Sequence, residues 1–303
     1  MTHLPSLLLL GAGGQLGRAL HERLAHAFAV DAPPRAELDV LDAPALERAV
    51  LAKSPAILVN ATAFGVQETE RDPHTGFRVN ALAPLALARA AEAAGALLVH
   101  FSTDFVFDGT LNRPYREDDL PAPLSLYGHA KLAGELAALS SPRAYVFRVE
   151  SLFGGGRAHG SIDGLVAKLR RGETPRVFTD RVLTPTYVVD AAEAIARVLT
   201  LRPPPGLYHL TNAGEATFLE VLEEAARLLA LPQRFEAVSQ SSANLAPPRP
   251  LRTPLNGDRL ASLGLGLPHW RDALARSCAS ALEYERKRNM MASCHPSFPP
   301  SPP

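Results

Sequence analysis

The stretch Ser6-Leu-Leu-Leu-Leu-Gly-Ala-Gly-Gly-Gln-Leu-Gly17 decides the fold of this 303-residue chain. Its first half is a short unbroken apolar run, the pattern of a strand buried on both faces. Its second half carries glycines at 11, 13, 14 and 17. Glycine allows a tight turn and lets an anion approach the free N–H groups at a helix start, where the dipole favours negative charge. A purely structural turn would look similar. Here a buried strand precedes the glycines and a helix follows, with Leu16, Leu20 and Leu24 on one face, which favours a dinucleotide-binding turn.

Working outward, strands are expected at 6–10, 29–31, 56–61, 96–102 and 144–149, alternating with helices at 16–27, 43–53, 74–94 and 125–138. That alternation implies right-handed crossovers and a doubly wound parallel α/β sheet of the Rossmann type. Beyond Phe153 the pattern loosens, with helices expected at 162–171, 188–201, 218–229 and 270–285 and a strand at 206–210. The expected organisation is a dinucleotide-binding domain from 1–150 plus 179–212 and a smaller, discontinuous substrate domain from 151–178 plus 213–285. The proline-rich end, 286–303, offers no periodic apolar face and reads as a disordered tail.

With 31 basic and 31 acidic residues, the chain has no electrostatic footprint for nucleic acid or an anionic membrane. Its cysteines, Cys278 and Cys294, make no disulfide framework, and no Cys/His spacing reads as a metal site. The run Leu7–Leu10 is too short to span a bilayer and lacks the flanks of a signal peptide. A cytoplasmic protein, monomeric or homodimeric, is expected.

The chemistry is concentrated in Tyr127 and Lys131, four residues apart on one helix face. A fixed cation lowers a nearby phenol's pKa, which makes a proton donor and acceptor for carbonyl–alcohol interconversion. Ser102-Thr103-Asp104 ends the fourth strand, at the sheet edge where such folds bind ligands. A hydroxyl there can bond a carbonyl oxygen more strongly as charge develops. Asp31 and Arg35 point to opposite cofactors: an acid holds the ribose of NADH, whereas an arginine pairs with the extra phosphate of NADPH. Asp39 and Val40 suit adenine contacts. Asn60 and Asn80 read as structural amides, Glu68 and Glu70 as a solvated pair, and His100 as a core histidine. Arg148 or Arg252 would face a diphosphate.

These residues resemble the extended short-chain dehydrogenase/reductase superfamily, and within it the dTDP-4-dehydrorhamnose reductase family. The resemblance rests on GAGGQLG (11–17), RAELDVLD (35–42), VNATAF (59–64), FSTDFVFDG (101–109) and PLSLYGHAKLAGE (123–135). It continues with FRVESLFG (147–154), TPT (184–186) and TPLNGDRL (253–260). The family implies reduction of the 4-keto group of a nucleotide-linked 6-deoxysugar by NADPH, with NADH possible. The resemblance implies a catalytic set of Thr103, Tyr127 and Lys131. Gly11, Gly14, Gln15, Leu16, Asp39, Val40, Ala61, Thr62 and Ala63 would bind cofactor together with Tyr127 and Lys131. Thr103, Asp104 and Arg252 would hold substrate.

The chain departs from the family pattern at three places. Val66 is followed by Gln67 where the family carries an aspartate. Arg148-Val-Glu-Ser151 replaces Arg-Thr-Ser-Trp, which removes an aromatic from the sugar pocket. The acid that some members use for a metal-bridged dimer falls on Ala19. Two rival readings share the architecture: a nucleotide-sugar epimerase or dehydratase, and a non-catalytic NADP-binding subunit resembling the methionine adenosyltransferase β subunit.

Overall fold

The computed structural model describes residues 4–155, 161–243 and 247–293. The central sheet contains β1 (Ser6–Leu10), β2 (Ala29–Asp31), β3 (Ile57–Asn60), β4 (Leu97–Thr103), β5 (Ala144–Val149) and a sixth strand, Gly206–His209. All its pairings are parallel, in the order Gly206–His209, β5, β4, β3, β1, β2. The order reverses between β1 and β3, so the carboxyl ends of those strands open a crevice at the switch point. This is the doubly wound arrangement expected from the sequence.

The helices are α1 (Gln15–Leu24), α2 (Ala43–Lys53), α3 (Val66–Arg71), α4 (Pro73–Phe77), α5 (Ala83–Ala94), α6 (Leu126–Leu139), α7 (Ser161–Arg170), α8 (Val188–Leu201), α9 (Phe218–Leu228), α10 (Asp258–Ala261) and α11 (Trp270–Ser293). Apolar side chains cover both sheet faces. Leu7, Leu9, Val59, Val99 and Phe147 pack with α1 and α8, while Leu8, Leu10, Leu58, Leu98 and Val146 pack with α2 and α5. Alternating side-chain direction along each strand explains the split. A separate apolar cluster joins Ile162 and Leu169 of α7, Val221 and Leu222 of α9, and Trp270 and Leu274 of α11. Leu183 and Tyr187 belong to that second cluster.

Several expectations need correction. The long helix expected over 74–94 is broken by a π-helical turn, Arg78–Leu82. That turn brings the Asn80 carbonyl against Gly134 of α6, where a β-carbon would lie 2.0 Å from the oxygen. The last helix does not stop at residue 285 but continues to Ser293, so its final turns occupy part of the expected tail. The rest of that tail, 294–303, lies outside the described residues, as does Cys294. Among the described residues no helix is long and apolar enough to cross a membrane.

Candidate active site

The glycines at the end of β1 do different work. Gly11 has φ +84°, and a side chain there would meet the Ala61 backbone at 2.7 Å. At Gly17 a β-carbon would stand 2.0 Å from the Gly11 carbonyl oxygen. Both positions therefore exclude larger residues so that turn, helix and β3 can close up. At Gly13 nothing lies within 4 Å, so the bare backbone faces open space. That is the surface a pyrophosphate needs at a helix start.

The helix that carries Tyr127 is fixed at both ends. Ser125 accepts a hydrogen bond from the Gly128 N–H at 3.1 Å, an N-cap. The Glu70 carboxylate accepts from the Tyr127 N–H at 3.1 Å. Glu70 is thus not the solvated charge expected from sequence: α3 delivers it to an orphan donor of the first turn of α6. At the other end Glu135 grips Arg148 of β5 through two hydrogen bonds, 2.6 and 2.9 Å, with both side chains buried. Arg148 also lies over the Phe107 ring, 4.8 Å from its centroid. It ties α6 to the sheet and faces no diphosphate, which corrects the expectation for this residue.

A cleft of about 1290 Å³ runs along the carboxyl edge of the sheet. It is lined by Gly11, Gly14, Gln15, Leu16, Asp39, Val40, Ala61, Thr62, Ala63, Thr103, Asp104, Tyr127 and Lys131. Every residue expected to bind cofactor or act in catalysis therefore reaches one cavity. Arg252 does not line it; its guanidinium pairs with Glu215 at 2.8 Å. In its place Arg181, Arg249 and Gln240 line the far end, with Phe178 and Phe218 beside them. The Nε atoms of Arg181 and Arg249 and Oε1 of Gln240 are buried without a hydrogen-bond partner. Sequence reading missed these residues because they come from loops and short strands with no periodic pattern.

Tyr127 is half-buried in the cleft wall, its ring edge-on to Phe105 at 5.6 Å. Burial pushes its phenol well above the ordinary tyrosine range, the Asp104 carboxylate adds to the rise, and a hydrogen bond with Thr103 opposes it. Lys131 donates to the Phe101 carbonyl at 2.6 Å, and burial brings its ammonium down to about 8. In this structure burial and Asp104 outweigh any stabilisation of the phenolate, so the phenol is favoured over its anion. Thr103 donates to Asp104 Oδ1 at 3.0 Å and accepts from the Phe105 N–H at 3.3 Å.

At the adenine end Asp31 pairs with Lys53 at 2.6 Å and does not line the cleft, whereas Arg35 does and bonds Asp39 at 3.2 Å. Asn80 accepts from the Phe64 N–H and donates to its carbonyl, and Asn60 accepts from Thr62, so both amides hold loops as expected. His100 is buried, with Nδ1 facing the Asn60 amide at 3.1 Å. Ser151 lines the cleft in a left-handed conformation, φ +43°. Phe153 stacks on Tyr187 at 5.4 Å, outside the cleft lining, and so does not replace the missing aromatic. Among the described residues no cluster of His, Cys, Asp and Glu could hold a metal ion.

With this geometry in view, residues 5–282 match the family described as RmlD substrate binding domain. The chain belongs to that family. It is 37% identical over 287 residues to a dTDP-4-dehydrorhamnose reductase of Streptomyces griseus, covering 90% of this chain and 93% of the relative. It is equally 37% identical to a probable dTDP-4,6-dihydroxy-2-methyloxan-3-one 4-ketoreductase of Streptomyces antibioticus, covering 92% and 96%. Among solved structures, a Bacillus anthracis dTDP-4-dehydrorhamnose reductase in complex with NADP superposes with a TM-score of 0.86. It is 25% identical, with 91% of this chain and 99% of that one covered.

Proposed function

We propose that this protein reduces the 4-keto group of a dTDP-linked 6-deoxysugar to an alcohol, with NADPH as reductant. One observation carries the reading. A half-buried phenol and a buried ammonium line one cavity where a glycine-lined trough joins an arginine-lined recess, in a chain with 4-keto-sugar reductases among its full-length relatives.

The open backbone at Gly13 and the small residues around it fit a dinucleotide. Gly11, Gly14, Gln15 and Leu16 would hold the pyrophosphate, Asp39 and Val40 the adenine end, and Ala61, Thr62 and Ala63 the middle. When bound, NADPH supplies the hydride. Tyr127 keeps its proton through the neutral range and gives it to the ketone oxygen as that oxygen gains negative charge. The Thr103 hydroxyl, which donates to Asp104 Oδ1 in this structure, would turn to the same oxygen. Lys131, anchored on the Phe101 carbonyl, would balance the phenolate and hold the cofactor ribose. The unpartnered Nε groups of Arg181 and Arg249 suit the substrate's diphosphate, which is bidentate and doubly charged.

The two separate apolar clusters support a cofactor domain of 1–150 plus 179–212 and a substrate domain of 151–178 plus 213–285. Leu183 and Tyr187 extend the second domain across that boundary, while Leu260 and Leu265 pack with the core of the first. With Ser151 in the wall, the pocket beside C4–C6 is wider and more polar than one closed by tryptophan, which favours a sugar with an added polar group.

A spectrophotometric screen of NADPH and NADH oxidation against a panel of nucleotide-linked 4-keto sugars tests the reading. Turnover with dTDP-linked 4-keto-6-deoxysugars and preference for NADPH are expected. Silence across the panel would end it.

A further inference from the structure

Behind the cleft lies a run of buried oxygens that the reduction above does not use. Asp104 Oδ1 accepts from Thr103, and both residues line the cleft together with Tyr127. Asp104 Oδ2 faces Thr253 Oγ1 at 2.8 Å, and the same hydroxyl lies 3.1 Å from Glu150 Oε1. Glu150 Oε2 accepts from both the N–H and the hydroxyl of Thr184, at 2.8 and 2.7 Å. The Thr184 hydroxyl in turn accepts from the Leu255 N–H at 3.2 Å. Glu150 is 1% exposed and does not line the cleft.

This geometry counts protons. A threonine hydroxyl has one proton to give, yet two carboxyl oxygens face Thr253. With both acids ionised, one oxygen would meet a lone pair in a low-dielectric interior, with a single cation, Arg181, shared between two carboxylates. One carboxyl must therefore carry a proton. Asp104 has the cation, with Arg181 Nη2 at 3.4 Å from Oδ2, and Thr103 as a donor on Oδ1. Glu150 Oε1 has Thr253 alone. The proton rests on Glu150, which donates to Thr253, which donates to Asp104. The charged groups that act on Glu150 are Asp104 and Arg181; burial and the Asp104 charge both favour its neutral form.

We propose that Glu150 is a proton store that acts on Tyr127 through Thr253 and Asp104, a positioning role that rests on the reductase reading. When Tyr127 gives its proton to the substrate oxygen, a phenolate forms across Thr103 from the Asp104 carboxylate. The Glu150 O–H bond then breaks as a new O–H forms on Thr253, and the original Thr253 O–H breaks as one forms on Asp104 Oδ2. Asp104 becomes neutral and Glu150 anionic. The pair keeps the same total charge, and no proton enters or leaves it. The negative charge has moved from the neighbour of Tyr127 to a carboxylate held by two Thr184 donors. Reprotonation of Tyr127 after product release reverses the shift.

The infrared carbonyl stretch of a carboxylic acid tests the store without turnover. The cofactor-free wild type at neutral pH is expected to show a buried protonated carboxyl that is lost in Glu150→Gln and displaced in frequency in Thr253→Val. A wild type without that band, or a Glu150→Gln variant that keeps it, overturns the proposal whatever the enzyme reduces. Single-turnover rates in H₂O/D₂O mixtures test the transfer. Curvature, from more than one moving proton, is expected in wild type and in Thr253→Ser. Thr253→Val should be linear in deuterium fraction and roughly tenfold slower, the rate equivalent of one pKa unit. Wild-type rate and curvature in Thr253→Val also overturn it. If no keto-sugar is reduced at all, the reductase reading fails, and the infrared result still decides where the proton rests.

Discussion

The two halves of the cleft are built on different principles. The cofactor half is made of backbone: Gly11 and Gly17 are small because neighbouring carbonyl groups leave no room, and Gly13 presents bare main chain. The substrate half is made of long side chains, Arg181, Arg249 and Gln240, backed by buried carboxyls and threonines. A backbone cradle fits a diphosphate common to every dinucleotide and tolerates almost no substitution. A side-chain recess can be retuned one residue at a time. Tyr127 sits at the seam, and its loss should stop chemistry while leaving both halves able to bind.

The largest expected effect is therefore at that seam. Tyr127→Phe keeps the ring against Phe105 but removes the proton, so turnover should fall roughly 10²–10⁴-fold, the usual share of general acid catalysis. Titration of NADPH by fluorescence should give nearly the wild-type affinity. Near-native turnover would remove Tyr127 from the mechanism.

Next comes the backbone half. In Gly17→Ala the new methyl would overlap the Gly11 carbonyl, which stands 2.0 Å from it. Overpacking of this kind costs about 1–3 kcal/mol. Calorimetry should record a lower melting temperature together with weaker NADPH binding. An unchanged melting curve would mean that the turn is not the tight backbone contact described.

The side-chain half should respond differently. Arg249→Ala is expected to raise KM for the sugar nucleotide by roughly 10–100-fold, since hydrogen bonds to charged groups are worth about 1.5–3 kcal/mol. The KM for NADPH should not move. A matching change in both constants would blur the distinction between the halves.

The smallest effect belongs to Arg35→Ala. Arg35 lines the adenine end of the cleft, yet its side chain is 74% exposed and already shared with Asp39. Screening limits such a contact to about 1 kcal/mol, or several-fold in NADPH affinity, with NADH nearly unchanged. Equal losses for both cofactors would show that Arg35 does not read the extra phosphate.

The same contrast explains what could be read from the sequence. Backbone requirements leave a signature in residue type, so the glycine turn, β1 to β5 and the Tyr127/Lys131 helix were legible to within a residue or two. Local rules failed where a group acts at long range. Glu70 looked like a surface charge, because nothing in its neighbourhood reveals that α3 carries it to the start of α6. Arg148 ends a strand near the cleft, and only the fold reveals that Glu135, on a helix 13 residues earlier in the chain, claims it. Arg181 and Arg249 come from irregular segments with no periodicity to mark them. Arg252 was chosen from the same segment as Arg249, three residues away, but the chain turns it toward Glu215. The π-helical turn at Arg78–Leu82 leaves no periodic sign either, since one added residue per turn hides within an alanine-rich helix.

The central claim is that the two halves meet so that a hydride and a proton reach one carbonyl group. NADPH deuterated at C4 of its nicotinamide ring tests it directly, with a dTDP-linked 4-keto-6-deoxysugar as acceptor and mass spectrometry and NMR of the product. The account predicts one deuterium bound to C4 of the resulting alcohol, from one face of the ring, in wild type and at a much reduced rate in Tyr127→Phe. A product without deuterium at C4, or cofactor that stays unoxidised while bound beside the keto-sugar, would contradict it.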